Sequence, residues 1–382
     1  MKILVLGCNG IADYIVSKLV DIKDVTEICI AAREKSDCDV LRNKYSGRNA
    51  RIMTARVDLA NEAGTKMMLS ITQPDLIVSV APAEYSVTIM KLALGIGADY
   101  IDTALYEWEN ETLLSSQFGL FSDFKSIEKT AVVGCGLNPG LIASLIRYSL
   151  IDSFLKIDSA DLLQIHLTND DPGEGQISFV EDGARKKADA LSVCMETDYE
   201  AFGKKTLYMT NSPITEIFLK ESTDVPNVRS FIAYELEQTP DYSKELELLG
   251  MLSDEPLEVA PGVSISPKQF WNLLQDSKKV VNDELPGPCG VGIVIRGEKS
   301  GASKRELISI TGDNNKCIEE YGMPCRMLFT AYTLLAGIKL MISGKWSRFG
   351  VYSPSAFNAE HLINEVKALG LEINRKELPA EG

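Results

Sequence analysis

The sequence predicts an α/β protein, built as a doubly wound parallel sheet with a second α+β domain of mixed or antiparallel sheet. Three observations lead there. From residue 2 to about 135, short apolar runs alternate with longer helix-like segments. Beyond about residue 136 the runs become longer and alternate polar with apolar residues. The chain has 382 residues, which is long for one core and makes two domains the natural division.

Taken in order, "KILVLG", "EICIAAR", "ARIMTARVD", "DLIVSVAP", "DYIDTA" and "TAVVGCG" read as strands. The segments between them, "GIADYIVSKLVDI", "DCDVLRNKY", "AGTKMMLSIT" and "YSVTIMKLALGIG", read as helices. Brief strands separated by helices imply right-handed crossovers and a parallel sheet, and near-continuous apolarity suits strands covered on both faces. After "GLNPGLIASLIRYSLIDSF", the runs "ADLLQIHLT", "VRSFIAYELE" and "GVGIVIRGEK" fit strands with one wet face, separated by turn-rich "TNDDPGEGQ" and "NDELPGPCG". We place the second domain at 136–322. The chain turns helical again from Gly322, with Pro324 at a helix start. "RMLFTAYTLLAGIKLMISGKW" is broken by Gly337, Lys339 and several hydroxyls. A membrane span needs about 20 mostly apolar residues, so a buried helix is expected here.

The formal charge is -15, with 39 Lys and Arg against 54 Asp and Glu. That balance repels nucleic-acid phosphates and anionic membrane surfaces, and points to a small-molecule partner. The eight cysteines form no CxxC pair and only His166 and His361 offer imidazole, which argues against a structural metal site or a disulfide framework. The opening "MKILVLG" is strand-like, and the expected location is cytoplasmic.

"VLGCNGIADYIV" holds the first candidate site. In a dinucleotide-binding turn the first glycine permits the tight bend, the second lets the backbone approach the pyrophosphate, and the third permits close helix packing. Gly7 fills the first role. Asn9, which tolerates left-handed backbone, stands beside Gly10, and Ala12 is small enough for the third role. The helix that follows presents free N–H groups and its positive dipole end to an anion. At the end of the second strand Arg33 suits the 2′-phosphate of NADP, with Ser36 as a second contact; Glu34 competes as a ribose ligand that would favour NAD, and a solvated arginine is the plain alternative. Asp58 ends the third strand as either an acceptor for adenine or a helix cap.

Together these stretches, with "IVSVAPAEYSVTIMKLALGIGADYIDTALYE", "VVGCGLNPGLIASLI", "ELELLGMLSDEPLEVAPGVSISPKQFWNLL" and "GKWSRFGVYSPSAFNAEHLINEVKALGL", resemble the saccharopine dehydrogenase family. Saccharopine reductase, carboxynorspermidine dehydrogenase and lysine 6-dehydrogenase are among its members. The resemblance implies a Rossmann-type nucleotide domain formed by 1–135 plus about 323–382. The 136–322 domain is then an insertion that binds substrate and pairs the chain into a homodimer.

The resemblance also implies site residues. Gly7, Asn9, Gly10, Ile11 and Ala12 would lie at the pyrophosphate, Arg33 and Ser36 at the 2′-phosphate, and Asp58 and Leu59 near adenine. Val80, Ala81 and Pro82 would border the ribose and nicotinamide, with Asn138 at the carboxamide. Asp102 and Thr103 are the candidate catalytic pair, orienting the nicotinamide or the substrate amine; strand-end helix capping is the alternative. Tyr106, Glu107 and Trp108 would reach the same cleft, with a purely structural role as the alternative. The middle, about 165–240, departs from the family. There Arg185, within "NDDPGEGQISFVEDGARKKADA", is either a clamp for a substrate carboxylate or part of a solvated loop and helix face.

The implied activity is that of an NADP-dependent oxidoreductase acting on a C–N bond of an amino acid or polyamine-like substrate, by imine reduction or its reverse, with NAD as the alternative cofactor. Two other readings stay open. One is a homospermidine-synthase-like transferase that uses bound NAD without net redox. The other is a non-catalytic NADP-binding regulator.

Overall fold

Strands that are apolar on both faces need helices on both sides, and the chain supplies them. The computed structural model describes residues 1–103, 112–166, 175–221, 224–233, 246, 248–260, 262–271 and 286–379. β1 (Lys2–Leu6) leads into α1 (Gly10–Leu19), β2 (Glu27–Ala32) into α2 (Lys35–Tyr45), and β3 (Arg51–Arg56) into α3 (Glu62–Thr72). β4 (Leu76–Ser79) precedes α4 (Ser86–Ile96), and β5 (Asp99–Asp102) is followed by α5 (Thr112–Gly119), α6 (Phe121–Ser126) and β6 (Thr130–Val132). All six strands read from the sequence are present.

α7 (Ile142–Asp152) carries the chain to β7 (Lys156–Ile165), β8 (Gln176–Glu181), β9 (Ala184–Asp189), β10 (Cys194–Tyr199) and β11 (Gly203–Met209). After α8 (Pro213–Glu221) come β12 (Val228–Ala233), the short β13 (Leu257–Ala260) and β14 (Val263–Ile265), and the long hairpin of β15 (Pro288–Lys299) and β16 (Ala302–Asp313). α9 (Asn314–Tyr321) and α10 (Cys325–Ile342) lead to β17 (Gly350–Tyr352), α11 (Ala359–Ala368) and β18 (Asn374–Leu378).

The first sheet is parallel, in the order β17-β6-β5-β4-β1-β2-β3. The order reverses between β1 and β4, which opens a crevice at the carboxyl ends of those strands. The second sheet runs β10-β11-β12-β7-β15-β16-β18, with the β8–β9 hairpin attached to β12. It is mixed, because β12 and β7 pair in parallel while their neighbours pair antiparallel. One apolar cluster fills the space between the first sheet, α1, α7, α10, α11 and the near face of the second sheet, so the two sheets share a core. Smaller clusters lie under α3 and α4 and on the far face of the second sheet.

The C-terminal return is divided. β17 joins the first sheet beside β6, whereas β18 pairs with β16 in the second sheet. The expectation that 323–382 rejoins the nucleotide domain as a block is therefore corrected at β18. Arg375 anchors that strand, donating to Glu306 at 2.9 Å and Asp152 at 2.7 Å. By length and composition α10 is the one candidate membrane-crossing helix among the described residues. It is packed inside the protein instead, with Leu328, Leu334, Leu335 and Ile338 at most 3% exposed.

The "FVEDGARKKADA" stretch is a hairpin, not the loop and helix face considered from sequence. Asp182 and Gly183 both take positive φ (51° and 73°), the backbone of a tight two-residue turn between β8 and β9.

Candidate nucleotide and substrate site

The crevice at β1 and β4 is shaped first by a glycine. Gly7 has φ +108°, and a Cβ there would lie 2.9 Å from Val80 Cγ2 and 3.1 Å from the Val80 carbonyl oxygen. The turn after β1 thus lies flush against the end of β4, and no side chain fits between them. The Gly7 N–H donates to Ala31 O at 2.9 Å and the Val80 N–H to Leu6 O at 2.9 Å, which holds both lips to the sheet. Ala81 and Pro82 continue the second lip into a single 3-10 turn at Ala83–Tyr85.

Asn9 corrects a sequence expectation. Its backbone is extended (φ -103°, ψ -176°), not left-handed, and its side-chain Oδ1 accepts from the Ala12 N–H at 3.1 Å. It is the N-cap of α1, the role for which Asn is among the favoured residues. With the Ala12 N–H so used, the Gly10 and Ile11 N–H groups open the helix toward an anion. Ala12 is fully buried, and its small side chain serves packing. Gly10 packs on the turn before α10, where its Cβ would be 3.3 Å from Met323 Cβ. Cys8, within the turn, has its thiol pushed up to about 12 by burial, so it is a poor nucleophile at neutral pH.

At the adenosine end, Arg33 Nη2 lies 3.9 Å from Asp58 Oδ1, with both side chains well exposed. Asp58 also accepts from the Ala60 N–H at 3.2 Å, whereas the cap of α3 is Asn61. Ser36 is exposed on the first turn of α2, and its hydroxyl points to Asp37 at 3.4 Å. Leu59 packs at the edge of the apolar cluster beside β3 and β4. Arg56, which the sequence reading passed over, donates through Nε to Arg33 O at 3.3 Å.

Past β5 the candidate catalytic pair separates into two environments. Asp102 is 1% exposed. Its carboxylate accepts from Tyr100 Oη at 2.8 Å, Gln117 Nε2 at 2.9 Å and the Gly134 N–H at 2.8 Å. Such a carboxylate ties the end of β5 to α5 and to the turn after β6, and direct contact with a substrate would require breaking those bonds. Burial, followed by the charge of Asp102, raises the Tyr100 hydroxyl and keeps it a donor. Thr103 is half-buried, donates its N–H to Ser79 O at 3.4 Å, and lies near Gly136. Asn138, at the start of the next helical segment, donates through Nδ2 to Ser212 Oγ at 3.0 Å, which ties the turn to the segment before α8. Tyr106, Glu107 and Trp108 lie outside the described residues.

Arg185 has a different partner from the one expected. It sits on β9, and its Nη2 is 2.5 Å from Glu216 Oε1 of α8, whose carboxylate is 3% exposed. A buried carboxylate needs a cation beside it, so this arginine holds the hairpin against α8 rather than standing open to a substrate.

Residues 3–132 match the family described as the saccharopine dehydrogenase NADP binding domain. The N-terminal part of this chain is thus similar to that NADP-binding domain. Over nearly their whole lengths, chain and relatives also align. The carboxyaminopropylagmatine dehydrogenase of Synechocystis sp. is 25% identical over 97% of this chain and 96% of its own. The carboxynorspermidine synthase of Vibrio cholerae is 21% identical over 99% and 97%. Among solved structures, saccharopine dehydrogenase (L-Glu forming) from Saccharomyces cerevisiae superposes with a TM-score of 0.72 at 14% identity, covering 99% of this chain and 100% of that one. The homospermidine synthase of Legionella pneumophila, in complex with NAD, gives 0.64 at 15% identity over 99% and 91%. These two likenesses establish the fold.

The residues matched to that NADP-binding domain include both lips of the crevice at β1 and β4. The open N–H groups at the start of α1 and the tight Gly7 turn, whose Cβ direction is closed by Val80, fit a pyrophosphate, and Arg33 lies just past the end of β2, where a 2′-phosphate belongs. The sequence reading missed Arg56, Met323 and Ser212, which reach the site by strand register or from distant parts of the chain.

Proposed function

We propose that the chain is an NADP-dependent oxidoreductase that reduces, or in reverse forms, the C=N bond between an amine and a carbonyl compound, with an amino acid or carboxylated polyamine as product. The observation that carries this reading is the NADP-binding domain match on a chain that aligns end to end with relatives named for such compounds. When bound, NADPH supplies the hydride that converts an iminium to a secondary amine.

The protein's part is binding and alignment. The Gly7 turn and the start of α1 hold the pyrophosphate, Arg33 and Ser36 the 2′-phosphate, Leu59 flanks adenine, and Val80, Ala81 and Pro82 border the nicotinamide ribose. Asn138, steadied by Ser212, faces the carboxamide. Asp102 acts one layer back by fixing the strand end that carries Thr103. An iminium already bears the positive charge that makes it electrophilic, so strong general-acid help is not required. The net charge of -15 favours a cationic amine partner.

The second sheet is assigned to substrate binding and to a homodimer, since it ends on the open edges of β10 and β18. A cytoplasmic location is supported by eight cysteines that are all free thiols.

Parallel calorimetric titrations with NADP and NAD, on wild type and Arg33→Ala, followed by assays of NADPH consumption with amines paired with keto acids or amino aldehydes, test the reading. Tight NADP binding that Arg33→Ala weakens, together with consumption by at least one pair, is the expected result. Binding without consumption by any pair would favour the regulatory alternative. Turnover of a polyamine with no free cofactor consumed would favour the transferase, whose structural likeness fits this chain but no better than that of saccharopine dehydrogenase.

A further inference from the structure

Four cations gather at the carboxyl ends of β2 and β3, and two of them are already held. Lys35 and Arg42 lie 2.9 and 3.1 Å from the carboxylate of Asp39, which also accepts from Thr54 at 2.6 Å. Hydrogen bonds from Thr54 and then Lys35 keep the Asp39 carboxyl below its ordinary range, so it remains a counter-ion at neutral pH.

Arg33 and Arg56 stand apart from that group. Arg56 is in register with Ala32 across the β2–β3 pair, and its Nε–H donates to the Arg33 carbonyl at 3.3 Å. This bond uses one of its five donors and sets the guanidinium beside Arg33, with the terminal nitrogens left for another acceptor. The Arg33 guanidinium is 3.9 Å from Asp58, at a point where the two side chains are 68% and 50% exposed. A contact that long and that solvated is weak and easily given up. Asp58 therefore resembles a stand-in: an anion that steadies Arg33 and that an incoming phosphate would displace and be repelled by.

We infer that Arg56 is a second specificity-determining residue for NADP, which grips the 2′-phosphate together with Arg33, and that Asp58 is the internal competitor limiting the preference for NADP over NAD. The inference rests on the NADP reading above. A phosphate dianion presents several acceptor oxygens, and two arginine forks satisfy it better than one. Arg56 ends β3 and Arg33 follows β2, so the parallel register itself creates the pair. Asp58, two residues beyond Arg56, sets a carboxylate against it.

The test is calorimetric titration of wild type, Arg56→Ala and Asp58→Asn with NADP, NAD, 2′-AMP and 5′-AMP. Arg56→Ala is expected to weaken NADP and 2′-AMP about tenfold while NAD and 5′-AMP bind as before, which also shows that the variant is folded. Its NADP affinity should fall less steeply with added salt than that of wild type. Asp58→Asn is expected to tighten NADP and 2′-AMP severalfold and leave NAD unchanged. An Arg56→Ala variant that binds NADP as wild type does, or loses NADP and NAD equally, overturns the role of Arg56. An Asp58→Asn variant that weakens NADP and NAD alike overturns the competitor role and makes Asp58 an adenine ligand. A wild-type chain that binds neither NADP nor NAD overturns the nucleotide reading and the inference together.

Discussion

A methyl group at Gly7 would have to occupy space already filled by Val80. Gly7→Ala adds that overlap to a φ of +108°, which only glycine adopts cheaply. We expect a stability loss of about 1–3 kcal/mol together with lost nucleotide binding, read by thermal unfolding and NADP titration. The role of this glycine is legible in the sequence, because the tight turn after a first strand demands one. Asn9 was legible as a polar substitute but not as a cap, since the choice between left-handed turn and N-cap is settled by where α1 begins. Arg56 could not be recognised at all, because its value depends on strand register. At Asp102 the prediction separates support from chemistry. Asp102→Asn exchanges a carboxylate for an amide facing three donors, and should lower stability by about 2 kcal/mol in urea unfolding. Lost turnover with unchanged stability would instead place Asp102 in the reaction.

Elements show a similar division between what the sequence carries and what packing adds. β1, β2 and β4 were readable because burial on both faces leaves an almost unbroken apolar run. β8 and β9 were not, since the Lys- and Arg-rich β9 has a largely exposed pattern, even though the Asp182-Gly183 turn between them is a hairpin signal. In the second sheet, Asp161 is fully buried and holds Arg229 at 2.7 and 2.9 Å and Arg296 at 2.5 Å, across three neighbouring strands. Asp161→Ala leaves two arginines without their shared anion and is expected to cost about 3–5 kcal/mol in denaturant unfolding. A loss under about 1 kcal/mol would mean that solvent, not Asp161, satisfies them. The end of α8 is joined to the loop after β17 in a comparable way. Glu221 accepts from the Ser353 N–H at 2.9 Å and from the hydroxyls of Ser353 and Ser355, while Arg147 donates to Ser355 O at 3.0 Å. Glu221→Ala should destabilise by about 2 kcal/mol, because both serines are buried and lose their acceptor.

At the scale of the whole molecule, the two sheets share one apolar core, and α10 lies inside it against α1, α11 and β5. The β1–β4 crevice is therefore joined to the second sheet through a packed core that includes α10 and α7. The division of the C-terminus between β17 and β18 reinforces this, since one segment closes both sheets. Sequence periodicity distinguished the parallel sheet from the second, mixed one but could not assign β18, whose five residues carry too little pattern to show which sheet they join. The central claim is that a hydride passes between the nicotinamide and the carbon of a C–N bond. Its most direct test is incubation of the protein with NADPH deuterated at C4 on either face, an amine and a carbonyl partner, followed by mass spectrometry of the product. One deuterium on the carbon attached to the new amine nitrogen, from one face only, is the predicted result; an amine product without deuterium from either face, formed while NADPH is left unconsumed, would contradict it.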